Sequence, residues 1–86
     1  MSRPTQETLT EEGLTELAFR ELRLSRHQWL IEVILLRDWV GLKVRRPGRV
    51  AKRSTAFTRK TTATERTRAF LEQARSAVAE LSSDPE

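Results

Sequence analysis

The sequence predicts a mainly α fold: a small helical domain with a short strand near its N-terminus, a basic hairpin or arm in the middle, and a helix at the C-terminal end. Three observations carry that expectation. Trp29 to Val40 reads WLIEVILLRDWV, in which nine of twelve positions are apolar and only Glu32, Arg37 and Asp38 interrupt. Leu14, Leu17, Ala18 and Leu22 fall at i, i+3, i+4 and i+8, the spacing of one helix face. Trp39 to Thr64 holds eight bases and no acid.

Met1 to Thr10 has no helical periodicity and reads as an arm, with a short strand at Thr5 to Leu9. Thr10, followed by Glu11 and Glu12, marks a helix entrance: a capping residue, then acids where the helix dipole favours them. Phe19 lies off the apolar stripe of this helix and would be exposed in a monomer, a hint that another surface packs against it. Ser25 with Gln28 three residues on has the form of a capping box, so a central helix is expected from Ser25 to Val40, stopped by Gly41. Such a helix would be apolar around most of its circumference, and 86 residues supply little else to cover it. A second copy of the chain is therefore expected to provide the missing wall, in an obligate homodimer whose core is Trp29, Leu30, Val33, Ile34 and Leu36.

GLKVRRPGRVAKRS, Gly41 to Ser54, reads as a basic hairpin turning at Pro47-Gly48. Ser54 to Thr64 is Thr-rich and serves as a connector with Phe57 as an anchor. Thr64-Glu65 opens a last helix reaching about Leu81, with Phe70, Ala74, Ala77, Val78 and Leu81 on one stripe. These readings divide the chain into a dimeric part at residues 1–41, a basic hairpin or arm at 42–64, and a C-terminal helix with a frayed tail at 65–86.

Composition narrows the function. Cysteine is absent, so disulfides and thiolate metal sites are excluded and an intracellular setting fits. No secretory leader is expected from the polar MSRPTQETLTEE, and the twelve-residue apolar run is too short to span a bilayer. The basic block, Lys43, Arg45, Arg46, Arg49, Lys52, Arg53, Arg59 and Lys60, lies between two segments that each have two more acids than bases. A local +8 of this kind is a footprint for a polyanion, and nucleic acid is the commonest one inside a cell. Four to six such contacts from each of two subunits would give a log K against log salt slope of order −7 to −11. Catalysis has little to stand on: His27 is the only histidine, Tyr and Cys are missing, and Glu11, Glu12 and Glu16 are explained by their place at a helix start. No catalytic residue, metal ligand or cofactor is expected, and the protein is taken not to be an enzyme. Trp29 and Trp39 are ten residues apart, near one face of a helix, and are expected in core or dimer packing, with base stacking, as in single-strand binders, the lesser alternative because the helix carrying them is so apolar.

LSRHQWLIEVI, Leu24 to Ile34, resembles the second helix of the ribbon-helix-helix family of small dimeric DNA-binding proteins, with Ser25, Arg26, Gln28, Trp29, Leu30, Glu32, Val33 and Ile34 in register with that family's pattern. The resemblance covers about residues 5 to 40. It implies an N-terminal strand that pairs with its copy and enters the major groove, which places base contacts at Thr5 and Gln6, and a phosphate held by the backbone after Ser25 with help from Arg26. TELAFRELRLSRHQ also resembles a helix-turn-helix, and GLKVRRPGRV is similar to the wing of winged-helix repressors. Both resemblances imply double-stranded DNA as partner, with Lys43, Arg45, Arg46, Arg49, Lys52 and Arg53 on an arm or wing that reaches a minor groove. The expected function is thus a small dimeric transcriptional repressor or plasmid or phage accessory regulator, cytoplasmic and nucleoid-associated. Two alternatives stand beside it: an antitoxin whose residues 65–81 mask a protein partner, and an interaction protein that binds through its basic face.

Overall fold

Five elements follow one another along residues 9–82, the part of the chain described by a computed structural model: α1 (Glu11–Glu21), β1 (Leu30–Leu36), β2 (Trp39–Arg46), β3 (Arg49–Ala56) and α2 (Ala63–Ser82). The strands form one antiparallel sheet in the order β1-β2-β3. The fold is therefore α+β, and the mainly α expectation is overturned by the sheet. The expected ribbon, with Thr5 and Gln6, lies outside the described residues.

α1 begins as the sequence suggests. The Thr10 hydroxyl accepts from the Gly13 N–H at 2.9 Å, and Glu11 and Glu12 occupy the first turn. The helix ends in a closed loop of hydrogen bonds: the Arg23 N–H donates to the Arg20 carbonyl and the Leu24 N–H to the Phe19 carbonyl, with Arg23 at φ 55°. That left-handed position suits glycine, and an arginine there costs about 1 kcal/mol.

The expected central helix does not exist. Ser25 begins only a single turn, its carbonyl accepting from the Gln28 and Trp29 N–H groups and its hydroxyl from the His27 N–H. The apolar run that follows folds as β1, a two-residue reversal at Arg37-Asp38, and the start of β2. An apolar run with no clear period reads equally as helix or strand, and here the Ile, Val and Trp side chains and the tight turn favour strands. Pairing from Leu30↔Arg45 to Leu36↔Trp39 fixes the register. Gly41 accordingly sits inside β2, not at a helix end.

The alternation of side chains then sorts the run onto two faces. Ile31, Val33 and Leu35 share a face with Val40, Leu42 and Val44 and, on β3, with Ala51. α1 packs on this face at β1 and α2 crosses it at β3 and β2, closing one core that runs in sequence from Leu14 to Leu81. Val40, Val44 and Phe70 are its most deeply buried large side chains, each burial contributing about 1.5–3 kcal/mol. Phe19, which the helix pattern would leave exposed in a monomer, is buried in the core of the single chain. The stripe of α2 is buried here too, at Phe70, Ala74, Ala77 and Leu81, so it is not free to mask a partner as the antitoxin reading requires.

The hairpin at Pro47-Gly48 forms as expected, and Gly48 at φ 78° after a proline fits a turn with a left-handed second position. The strands it joins run the full length of β2 and β3, so it is no separate arm. α2 opens with a capping box: the Thr62 hydroxyl accepts from the Glu65 N–H at 3.1 Å, and the Glu65 carboxylate from the Thr62 N–H at 2.9 Å. The last turn of α2 contains no base, and Arg46 and Arg49 of the hairpin supply the missing positive charge there, donating to the Leu81 carbonyl at 3.5 and 3.3 Å.

Candidate nucleic-acid interface

The opposite face of the sheet carries Leu30, Glu32, Ile34 and Leu36 from β1, Trp39, Gly41, Lys43 and Arg45 from β2, and Val50, Lys52, Ser54 and Ala56 from β3. Both helices lie on the other face, so among the described residues no element covers this one. Leu30, Ile34, Leu36 and Val50 are each about half exposed on it (51, 55, 54 and 49%). The expected dimer core is thus split by the pleat. Trp29 is buried beneath the helices and Val33 is half-buried on their side, whereas Leu30, Ile34 and Leu36 face outward.

The basic residues are sorted in the same way. Arg46 stacks 4.8 Å from the centre of the Trp29 ring, and with Arg49 it closes the end of α2. Arg53 donates to Ser76 Oγ and pairs with Glu80 of α2. Arg26 pairs with Glu16 at 2.7 Å and covers the Phe19 ring at 4.1 Å. Arg66, on α2, covers Phe57 in the same manner and also donates to the Arg37 carbonyl. Three arginines therefore act as lids on aromatic side chains of the core, and Arg26, Arg46, Arg49 and Arg53 have structural work that the expected DNA contacts did not foresee. The phosphate site expected at Ser25 does not form either, because no helix starts there.

Lys43, Arg45 and Lys52 are the members of the predicted set that the fold brings together on the open face. Lys43 stands directly opposite Lys52 across the β2–β3 ladder. Glu32 reaches Lys43 and Arg45, each at 3.8 Å, while among the described residues no carboxylate pairs with Lys52. Like charges directly opposite on a sheet are destabilising, and nothing in the packing requires them here.

Trp39, in contrast to its expected place near the same face as Trp29, lies on the open side, half-buried. Its indole is laid back over Gly41: a Cβ at that glycine would come within 2.3 Å of the ring's Cη2. Beside the ring is an open hollow of about 590 Å³ bordered by Ile34, Lys43, Lys52 and Ser54, reaching across the β3 edge to Gln73 of α2. A second hollow of about 530 Å³ adjoins it toward the hairpin, between Arg45, Gly48 and Val50, and shares Lys43 and Lys52. The sequence does not single out Ser54 or Gln73, and it offers Trp39 for base stacking only as the lesser alternative to packing. The signal available was Trp-x-Gly in a strand, a spacing that leaves room for a ring to lie over the glycine.

The acids Glu11 and Glu16 serve the fold. Glu11 Oε2 accepts from the Leu35 N–H at 2.9 Å and so occupies part of the exposed edge of β1, and Glu16 pairs with Arg26. Among the described residues no group of His, Cys, Asp and Glu is gathered as a metal site, and no helix is long and apolar enough to cross a membrane. No family model, curated protein or solved structure matches the chain, so the likenesses to ribbon-helix-helix and winged-helix proteins gain no support from the comparisons.

Proposed function

We propose that the protein binds nucleic acid on the open face of its sheet, with Lys43, Arg45 and Lys52 holding phosphates. The observation that carries this reading is the Lys43–Lys52 opposition. Two lysines directly opposite on neighbouring strands lower stability unless an anion is shared between them, and a phosphate is such an anion. Neighbouring phosphates along a strand would reach Arg45, one pleat further toward the hairpin.

The contact geometry differs from the one expected of an N-terminal ribbon. A major groove about 12 Å wide admits a helix or a two-stranded ribbon. The three-stranded sheet found here is backed by helices and presents a broad surface. Two phosphates per chain, one shared by Lys43 and Lys52 and one at Arg45, predict a log K against log salt slope of about −1.4 to −1.8, much shallower than the slope expected from the whole basic block. Anisotropy titrations of a labelled oligonucleotide at several salt concentrations test this. Replacing Lys43, Arg45 and Lys52 together with Gln is expected to abolish the salt-dependent binding. Retention of that binding by the triple variant refutes the assignment.

A second reading concerns assembly. Leu30, Ile34 and Leu36 form an apolar stripe along β1, and a second copy of the chain laid on that stripe would remove it from water. Sedimentation of wild type against Ile34→Lys decides it: a dimer lost on substitution supports the stripe as the contact, and a wild-type monomer at all concentrations removes it.

A further inference from the structure

Resting on that reading of the open face, we infer that its ligand is a single strand, with one unstacked base lying on Trp39 and the phosphates on either side of it held by Lys43, Lys52 and Arg45. The two adjoining hollows carry the inference. One is lined by the Trp39 ring with Ile34, Ser54 and Gln73, the other is lined by cations, and Lys43 and Lys52 stand where they meet. Apolar walls, an indole, a hydroxyl and a side-chain amide make a site for a flat heterocycle with polar edges. The neighbouring cations make a site for the backbone that carries it.

The posture of Trp39 excludes the duplex from this site. The ring is pressed down over Gly41 and does not project from the sheet as a wedge would. It cannot reach into a base stack, so the base must come to it, and only an unpaired base has a face to offer. Stacking on an indole is tolerant of base identity, since every base has such a face, so sequence preference should be weak. Glu32, which borders the same hollow, is the one acid there and will disfavour a second phosphate on the β1 side, which sets the strand running along β2 and β3.

The experiment uses the full chain and a labelled thymidine oligomer of about 12 nucleotides, a length within the site sizes of single-strand binders, alone and annealed to its complement. The oligomer should bind more tightly than the duplex at equal salt. Trp39→Ala should weaken oligomer binding roughly 5- to 150-fold, the effect of losing one stacked base, while its salt slope stays at the wild-type value because the phosphate contacts remain. Trp39→Phe should recover much of the loss, and circular dichroism of both variants should show the wild-type fold. Equal or tighter binding of the duplex overturns the inference, as does wild-type oligomer affinity in a folded Trp39→Ala variant. If binding survives Trp39→Ala and is lost in the triple Gln variant, the stacking inference fails while the phosphate-binding face stands. If neither nucleic acid binds, both fail.

Discussion

Lys52→Gln should make the protein more stable and its nucleic-acid binding weaker. Lys52 faces Lys43 across the ladder, where side chains directly opposite have Cβ atoms about 4.5–5.5 Å apart. Glu32 offsets the charge of Lys43 at 3.8 Å, but that carboxylate is also shared with Arg45 at 3.8 Å. Cross-strand pairs of this kind are worth about 0.2–1 kcal/mol, so removing the repulsion should raise stability by about 0.5 kcal/mol. For a domain of this size that is an increase of about 2–4 °C in melting temperature. The gain is electrostatic and should fade in 1 M salt, where the screening length of about 3 Å is shorter than the separation. Urea melts at low and high salt, followed by tryptophan emission, measure the first effect, and an anisotropy titration at low salt measures the second as a loss of affinity. A variant less stable than wild type at low salt, or a gain that persists undiminished in 1 M salt, would refute the reasoning, because the two lysines would then not be in conflict.

Three further outcomes follow from the geometry. Gly41→Ala places a Cβ against the Trp39 ring at 2.3 Å, so the indole must lift off the sheet; a loss of about 1–3 kcal/mol and a shift in tryptophan emission are expected in urea melts. Arg23→Gly relieves the left-handed arginine that ends α1 and should raise stability by about 1 kcal/mol without altering nucleic-acid affinity, read by the same melts and titrations. Arg49→Ala removes hydrogen bonds to the Leu81 and Glu80 carbonyls and should cost about 0.5–1.5 kcal/mol while leaving most of the oligonucleotide affinity in place; a large loss of affinity with unchanged stability would move Arg49 from the fold to the binding face.

Local signals were legible where they were governed by neighbours in the chain. Thr10 capping α1, the turn at Pro47-Gly48 and the stripe of α2 are each written within a few residues, because caps, turn residues and helix periodicity act at that range. The start of α2 was misplaced by two residues, since Thr62, not Thr64, makes the capping box with Glu65. The concentration of positive charge between Trp39 and Thr64 was equally plain.

By itself, then, the sequence determined the two helices, the hairpin and a basic middle segment. Only the tertiary structure decided what the apolar run from Trp29 to Val40 would become, because that run is apolar on both sides of a strand and its period is therefore silent. Pairing with β2 and β3 settled it as a sheet, and the pleat then sent Trp29, Ile31 and Val33 toward the helices and Leu30, Ile34, Leu36 and Trp39 to the open face. The same pleat divided the bases, placing Arg46, Arg49 and Arg53 against α2 and Lys43, Arg45 and Lys52 on the side away from it. Which cations serve the fold and which are left for a ligand depends on the parity of a residue in its strand, and that parity has meaning only once the helices have chosen a face.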